Sequence, residues 1–260
     1  NAMIDLSRFE GDVHFANRVY KKYTGRLLNL NSPETYNEKL WWLKFHYRNP
    51  LQTICCDKYR VREYIESCGL KHILVKLYGV YERAEDIDFS KFNREVFLKI
   101  NSGSGGNIIY DPKKPFNKRR YIIDFNSRLH HNYYYNSREW PYKGVQTRIV
   151  CEEVLRDSSG ALPMDYKFMC FGGKCKYLFY SGGVCDETGR HNVTGERYTN
   201  VYDMSFNYVP MNVDQPTRPD IKVEKPATFD KMKEYAEILS KPFPHCRVDF
   251  YSVDEKIYFG

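Results

Sequence analysis

Lys99 stands just ahead of a run of small residues, Ser102-Gly103-Ser104-Gly105-Gly106-Asn107. Backbone N–H groups in such a loop can approach an anionic oxygen closely, and a preceding lysine adds a point charge. The loop lacks the Lys-Ser/Thr ending of a P-loop, and no Gly-x-Gly-x-x-Gly occurs in the chain, which disfavours a Rossmann site. The same residues also suit an exposed hairpin tip. A second segment, Ile149-Val150-Cys151-Glu152-Glu153-Val154-Leu155, ends a strand pattern in two acids and an apolar pair. Adenine needs backbone donors and acceptors between apolar walls, with an acid near the ribose. A plain strand ending in solvated acids reads the same way. A third segment, His245-Cys246-Arg247-Val248-Asp249-Phe250, alternates with period two and sets Arg247 and Asp249 on one face. They can form a surface ion pair. Beside a triphosphate, Asp249 suits Mg²⁺ and Arg247 suits transferring phosphate oxygens. Asp165 and Lys167 repeat that spacing, and a simple ion pair is again the alternative.

These groups need elements to hold them. Asn31-Ser32-Pro33-Glu34 reads as a helix start, with Leu40, Trp41 and Leu43 following. A second helix is expected from about Thr53, with Ile54, Val61, Ile65 and Cys68 on one face and Gly69 at its end. Ile73 to Val80 reads as a strand. In Val96 to Ile100, positions 96, 98 and 100 share one face, and Phe97 and Lys99 share the other. Residues 113–120, with Lys113, Lys114, Lys118, Arg119 and Arg120, are expected to be a solvated loop. A strand follows from Val145 to Cys151. Tyr166 to Phe171 and Lys174 to Tyr180 flank Gly172-Gly173, a hairpin signal. A helix with Phe229, Met232, Ala236 and Leu239 on its stripe precedes a last hairpin, Cys246 to Phe259. This order predicts an α+β protein with antiparallel sheets.

The 260 residues suit one compact protein of two or three subdomains, and 42% hydrophobic residues suffice for a core. Asn1 and Ala2, ahead of Met3, read as an expression remnant. No run is apolar enough to cross a bilayer and no signal-peptide pattern opens the chain, so a soluble, cytoplasmic protein is expected. The charge of +7 favours anionic partners without choosing among them. Cys170 and Cys175 are too far apart for a Cys-x-x-Cys site, and buried free thiols are expected for most of the 8 cysteines. Tyrosine, at 23 residues, suits sugars and bases equally.

Taken in order, the three segments resemble the ATP-grasp superfamily. There a strand lysine precedes a glycine-rich lid loop, a Glu-Glu-hydrophobic hinge follows, and an Arg-x-Asp strand comes late. Asn37-Glu38-Lys39-Leu40, Asp57-Lys58-Tyr59, Val61-Arg62-Glu63-Tyr64, Arg138-Glu139-Trp140-Pro141-Tyr142-Lys143 and Asp165-Tyr166-Lys167-Phe168 narrow the resemblance to its TupA-like branch. That branch is associated with teichuronopeptide and capsular polysaccharide synthesis. Its members also carry a glycosyltransferase label that these motifs do not support.

The resemblance implies two α+β subdomains with antiparallel sheets gripping ATP: a helical region over 3–70, a lid over 71–155 and a C-terminal subdomain over 156–260. It implies ATP and Mg²⁺ as cofactors. Lys58, Lys99, Ser104, Gly105 and Gly106 would meet phosphates, Glu152, Glu153, Val154 and Leu155 would hold adenine, and Asp249 would bind metal. Arg247, Lys167 and Lys99 would be catalytic. In the superfamily an acid and an Asn follow the Arg-x-Asp hairpin, and this chain reaches Gly260 where that strand begins; a metal ligand is expected to lie beyond it. Tyr133, Tyr134, Tyr135, Arg138 and Trp140 form an aromatic-basic cluster suited to a sugar acid or to packing. The implied activity is a carboxylate–amine ligase acting through an acyl phosphate on amino-acid and uronic-acid groups. Small-molecule or polysaccharide substrates are its expected partners, with peripheral association with a polysaccharide assembly complex and no specific nucleic acid. A phosphotransferase acting on a sugar hydroxyl, and a non-catalytic binder of anionic polymer using Lys113 to Arg120, stand as alternatives.

Overall fold

The computed structural model describes residues 11–192 and 197–260. The remnant read at Asn1 and Ala2, and the expected start of the helical region at residue 3, lie outside them. Helix α1, Asp12–Thr24, went unseen in the sequence. Helix α2, Tyr36–His46, starts later than Asn31-Ser32-Pro33-Glu34 suggests. Thr35 and Glu38 form a reciprocal capping box: Glu38 accepts from the Thr35 N–H at 2.9 Å, and Thr35 Oγ1 accepts from the Glu38 N–H at 3.3 Å. Asn29 ties its side chain to Ser32, so the earlier stretch closes a turn.

The single helix expected from Thr53 is two, α3 at Pro50–Cys55 and α4 at Val61–Ser67. Buried Asp57 causes the break. Its carboxylate accepts from the Tyr59 and Arg60 N–H groups at 2.9 and 3.2 Å, which competes with helix continuation.

The first sheet contains β1 (Leu77–Tyr81), β2 (Val96–Ile100), β3 (Ile108–Tyr110) and β4 (Ile149–Glu153), in the order β1-β4-β2-β3. All its pairs are antiparallel. The strands expected from Ile73 and from Val145 begin only at Leu77 and Ile149, each after a 3-10 turn. The face of Val96, Leu98 and Ile100 packs on helix α5, Lys118–Leu129, through Phe125. The expected loop at 113–120 is thus corrected at its end. Lys118, Arg119 and Arg120 are the exposed first turn of α5, and Tyr121, Phe125 and Leu129 recur at four-residue spacing toward the sheet.

The second sheet runs β10-β9-β5-β6-β7-β8. Its strands are β5 (Asp165–Phe171), β6 (Lys174–Gly182), β7 (Tyr198–Tyr202), β8 (Tyr208–Val209), β9 (His245–Val253) and β10 (Lys256–Phe259). Gly172 and Gly173 turn β5 into β6 with φ of 54° and 76°, the left-handed pair that a tight hairpin needs. After the short helix α6, Tyr134–Ser137, the last helix is α7, Phe229–Ser240. Its Phe229, Met232, Ala236 and Leu239 cover the face of Phe168, Val248 and Phe250. Val61, Ile65 and Ile73 join this core, whereas α1 and α2 share a separate one around Phe15, Tyr20 and Trp41. Between β6 and β7 the chain crosses to the first sheet, where the Ile109 N–H donates to the Thr188 carbonyl at 2.7 Å. Among the described residues no helix is long and apolar enough to cross a membrane. The architecture is α+β with two antiparallel sheets, as the sequence predicts.

Candidate functional site

The free faces of the two sheets meet across a cavity of about 720 Å³. From the first sheet come Lys99 and Glu152. Lys99 opposes Val150 and Phe97 opposes Glu152 across the β2–β4 pair, which puts both charged groups on the face away from α5. From the second come Arg247 and Asp249, on the face of β9 opposite α7. Gly103 and Ser104 close the cavity from the glycine loop, and Lys58, Arg62 and Trp140 complete its charged and aromatic lining.

Glu152 is the hub of its positive side. Its Oε2 lies 2.6 Å from Lys99 Nζ, and its Oε1 lies 3.4 Å from Arg62 Nη1. Lys58 stands next to them. Its Nζ donates to the Ile100 carbonyl at 3.2 Å and to the Gly103 carbonyl, and its N–H donates to the Asn101 carbonyl at 2.8 Å. Withdrawal from solvent, and then the charge of Lys99, push the Lys58 ammonium down to about 8. The Lys58 ammonium therefore clips the start of the glycine loop to the helical region. Gly103 needs its glycine, because it holds φ +71° and an added Cβ would lie 2.2 Å from the Tyr133 ring.

On the far wall Arg247 and Asp249 form a two-point pair, Nε–Oδ1 and Nη2–Oδ2 both at 2.7 Å. The Asp249 carboxylate keeps the Arg247 guanidinium firmly charged. Lys167 faces Asp249 across the β5–β9 pair and sends Nζ 3.3 Å to Asp165. Burial raises the Asp165 carboxyl; Lys167 opposes that shift and the Asp249 charge adds to it. Burial also raises the Tyr251 hydroxyl, which feels Asp165, Asp249 and Glu152 together. A hard cation beside phosphates takes one or two protein carboxylates and keeps its waters. Asp249 lines the cavity and fits such a donor; Asp165 shares its strand-pair face but is tied to Lys167, and neither Asp165 nor Lys167 lines the cavity. Among the described residues no group of three or more His, Cys, Asp or Glu side chains gathers for a metal.

The cavity thus brings together Lys58, Lys99, Ser104, Glu152, Arg247, Asp249 and Trp140. Other residues singled out in the sequence do not line it. Gly105 and Gly106 sit farther along the loop. Glu153 points to the opposite face and gives its N–H to the Lys76 carbonyl. Val154 and Leu155 are half-buried beyond the end of β4. Two members of the aromatic cluster are corrected. Arg138 is 1% exposed, 3.0 Å from Asp12, and lies over the Phe15 ring; Tyr134 donates to the same Asp12. Both belong to the packing of α1. The sequence reading missed Arg62, Tyr142, Tyr36 and His245 as lining residues. For His245 a signal existed, since it alternates in register with Arg247 and Asp249. Its Nδ1 lies 2.8 Å from the Cys170 carbonyl and its Nε2 lies 3.0 Å from the Tyr36 hydroxyl. All 8 cysteines are free thiols.

Two antiparallel sheets closing on a lysine, a glycine loop and an Arg-x-Asp strand define an ATP-grasp protein. The TupA-like ATPgrasp family profile matches residues 38–260, and the chain belongs to that family. Solved structures that the chain resembles include an L-amino acid ligase from Bacillus licheniformis, at 11% identity and TM-score 0.49 over 96% of this chain and 54% of that one. A D-alanine–D-alanine ligase from Bacillus anthracis aligns at 16% identity and TM-score 0.43, over 80% and 56%. The chain spans about half the length of these proteins. No curated protein matches it.

Proposed function

We propose that the chain binds Mg-ATP in the cavity between its sheets and activates a carboxylate for attack by an amine. The observation that carries this reading is the convergence of Lys99 and Glu152 from one sheet with Arg247 and Asp249 from the other on a single cavity. A carboxylate does not accept an amine directly, because oxide is a poor leaving group; phosphorylation replaces it with phosphate. Catalysis of such a step is mostly positioning and charge neutralisation. Lys58, Lys99 and the backbone of Gly103 and Ser104 supply positive charge and N–H donors for phosphates, with Gly105 and Gly106 farther along the loop. Glu152 holds Lys99 in place and marks the adenine end of the cavity. Arg247, with Lys167 behind it, neutralises the transferring phosphoryl group and the carbonyl oxygen. Asp249 would hold Mg²⁺, which draws phosphate charge when bound. Trp140 borders the acceptor side.

The substrates we assign are amino-acid and uronic-acid groups of a bacterial cell-surface polysaccharide. The setting is the cytoplasm, with peripheral attachment to the assembly machinery. A screen of uronic acids against amino acids, with ATP and Mg²⁺, tests this. Expected products are inorganic phosphate and an amide. A phosphorylated acceptor without an amide would make the chain a phosphotransferase, and no nucleotide turnover or binding with any pair would overturn the reading.

A further inference from the structure

The glycine loop is a wall shared by two cavities. Gly103 and Ser104 face the one already described, while Gly106 and Asn107 line a second, of about 610 Å³, on its other side. Three arginines from two separate parts of the fold enter this second cavity: Arg120 and Arg128 from α5, and Arg190 from the segment between β6 and β7. Arg128 packs so closely under the loop that a Cβ on Gly106 would lie 2.2 Å from its Nη1. The nearby acids are already engaged. Asp124 pairs with Arg128 at 3.0 Å, and Asp186 accepts from the Thr188 and Arg190 N–H groups at 2.8 and 3.2 Å. Arg120 and Arg190 have no carboxylate within ion-pair distance among the described residues.

We infer that this second cavity is a binding site for the carboxylate groups of an acidic glycan. Planar guanidinium groups converging from different elements match carboxylate oxygens in a way that scattered surface lysines do not. The choice of a glycan over single-stranded nucleic acid follows from the aromatic residue present. Base binding needs a free ring face. Tyr121 is the aromatic side chain of the cavity, and it stacks on Phe116 at 4.4 Å and 6°, with the Arg190 guanidinium 5.8 Å from its ring centre. Neither face is open to a base. The identification of this ligand as the acid substrate rests on the ligase reading above; the site itself does not. A chain lying there would touch the outer side of the loop whose inner side faces the nucleotide.

The test is direct binding of a galacturonate oligomer to the full chain without nucleotide, by calorimetry at fixed salt. Arg120→Gln with Arg190→Gln should weaken it at least about tenfold. Lys113→Gln with Lys114→Gln removes the same charge outside the cavity and should weaken it far less. In the same proteins, affinity for a non-hydrolysable ATP analogue should stay unchanged. Equal loss in both double variants would mean diffuse attraction and would overturn the site, as would no binding to the unaltered chain. Tighter binding of polyphosphate or of single-stranded RNA, with the same sensitivity to the arginine changes, would overturn the carboxylate-glycan assignment. Failure of the unaltered chain to bind the ATP analogue would count against the ligase reading alone.

Discussion

Glu152 Oε2 lies 2.6 Å from Lys99 Nζ, and both side chains are largely withdrawn from water, at 6% and 15% exposure. A carboxylate so placed neutralises a lysine before any phosphate arrives, and Arg62 shares it from the other side. Removing either partner should therefore have unequal effects. Glu152→Gln leaves Lys99, Arg62 and Lys58 facing one another and should lose about 3 kcal/mol of stability in urea unfolding. Lys99→Met leaves Glu152 its Arg62 partner and should lose about half as much, while ATP affinity falls by about 1.5–3 kcal/mol. Unaltered ATP affinity in folded Lys99→Met would make this lysine structural only.

Lys58 gives a pH signature. With its ammonium lowered to about 8, the lysine is mostly neutral at pH 8.5 in the free protein. A bound triphosphate favours the charged form and raises that value. Binding at pH 8.5 should therefore take up between about half and three-quarters of a proton per nucleotide. The charged lysine is present below its free value, so affinity should fall as pH rises from 8 toward 9.5. Calorimetry in buffers of different ionisation enthalpy measures the uptake. If Lys58→Met takes up as many protons as the unaltered chain, Lys58 is not the group involved.

Asp249→Asn keeps the side-chain shape and removes a charge from the strand face. If Asp249 meets Mg²⁺, Mg-dependent ATP affinity should drop while metal-free affinity holds or improves. A mere partner for Arg247, which is 53% exposed, predicts only about 0–1 kcal/mol of lost stability and no change in metal dependence. Titrations with and without Mg²⁺ on both proteins separate these outcomes.

Arg138→Met should act through the fold alone. Its guanidinium lies 4.2 Å from the Phe15 ring centre and 3.0 Å from Asp12, so the change should loosen α1 and lower stability by about 2–3 kcal/mol. Nucleotide affinity and substrate KM should not move. A raised KM with unchanged stability would return Arg138 to the substrate site.

What the sequence revealed follows the range of each signal. The alternation of Val96, Leu98 and Ile100 against Phe97 and Lys99 is local, and β2 displays it unchanged. Arg247 and Asp249 share a face for the same reason. The hub at Glu152 was illegible, because Arg62 reaches it across 90 residues and nothing in either segment marks the other. Helix α5 was hidden because its first turn is a run of basic residues that reads as solvated chain. The break before α4 depends on what Asp57 does with its carboxylate, since the same residue could have faced water in a continuous helix.

The bond from Ile109 to Thr188 has a consequence for the protein's behaviour in solution. β3 lies at the margin of the first sheet, where an unpaired strand is a template for another molecule's strand. The loop before β7 occupies that template, with Gly189 fitted so tightly that a Cβ would come within 3.0 Å of the Ile109 nitrogen. This cover and the brevity of Ile108–Tyr110 both limit how far a strand of another molecule can pair there.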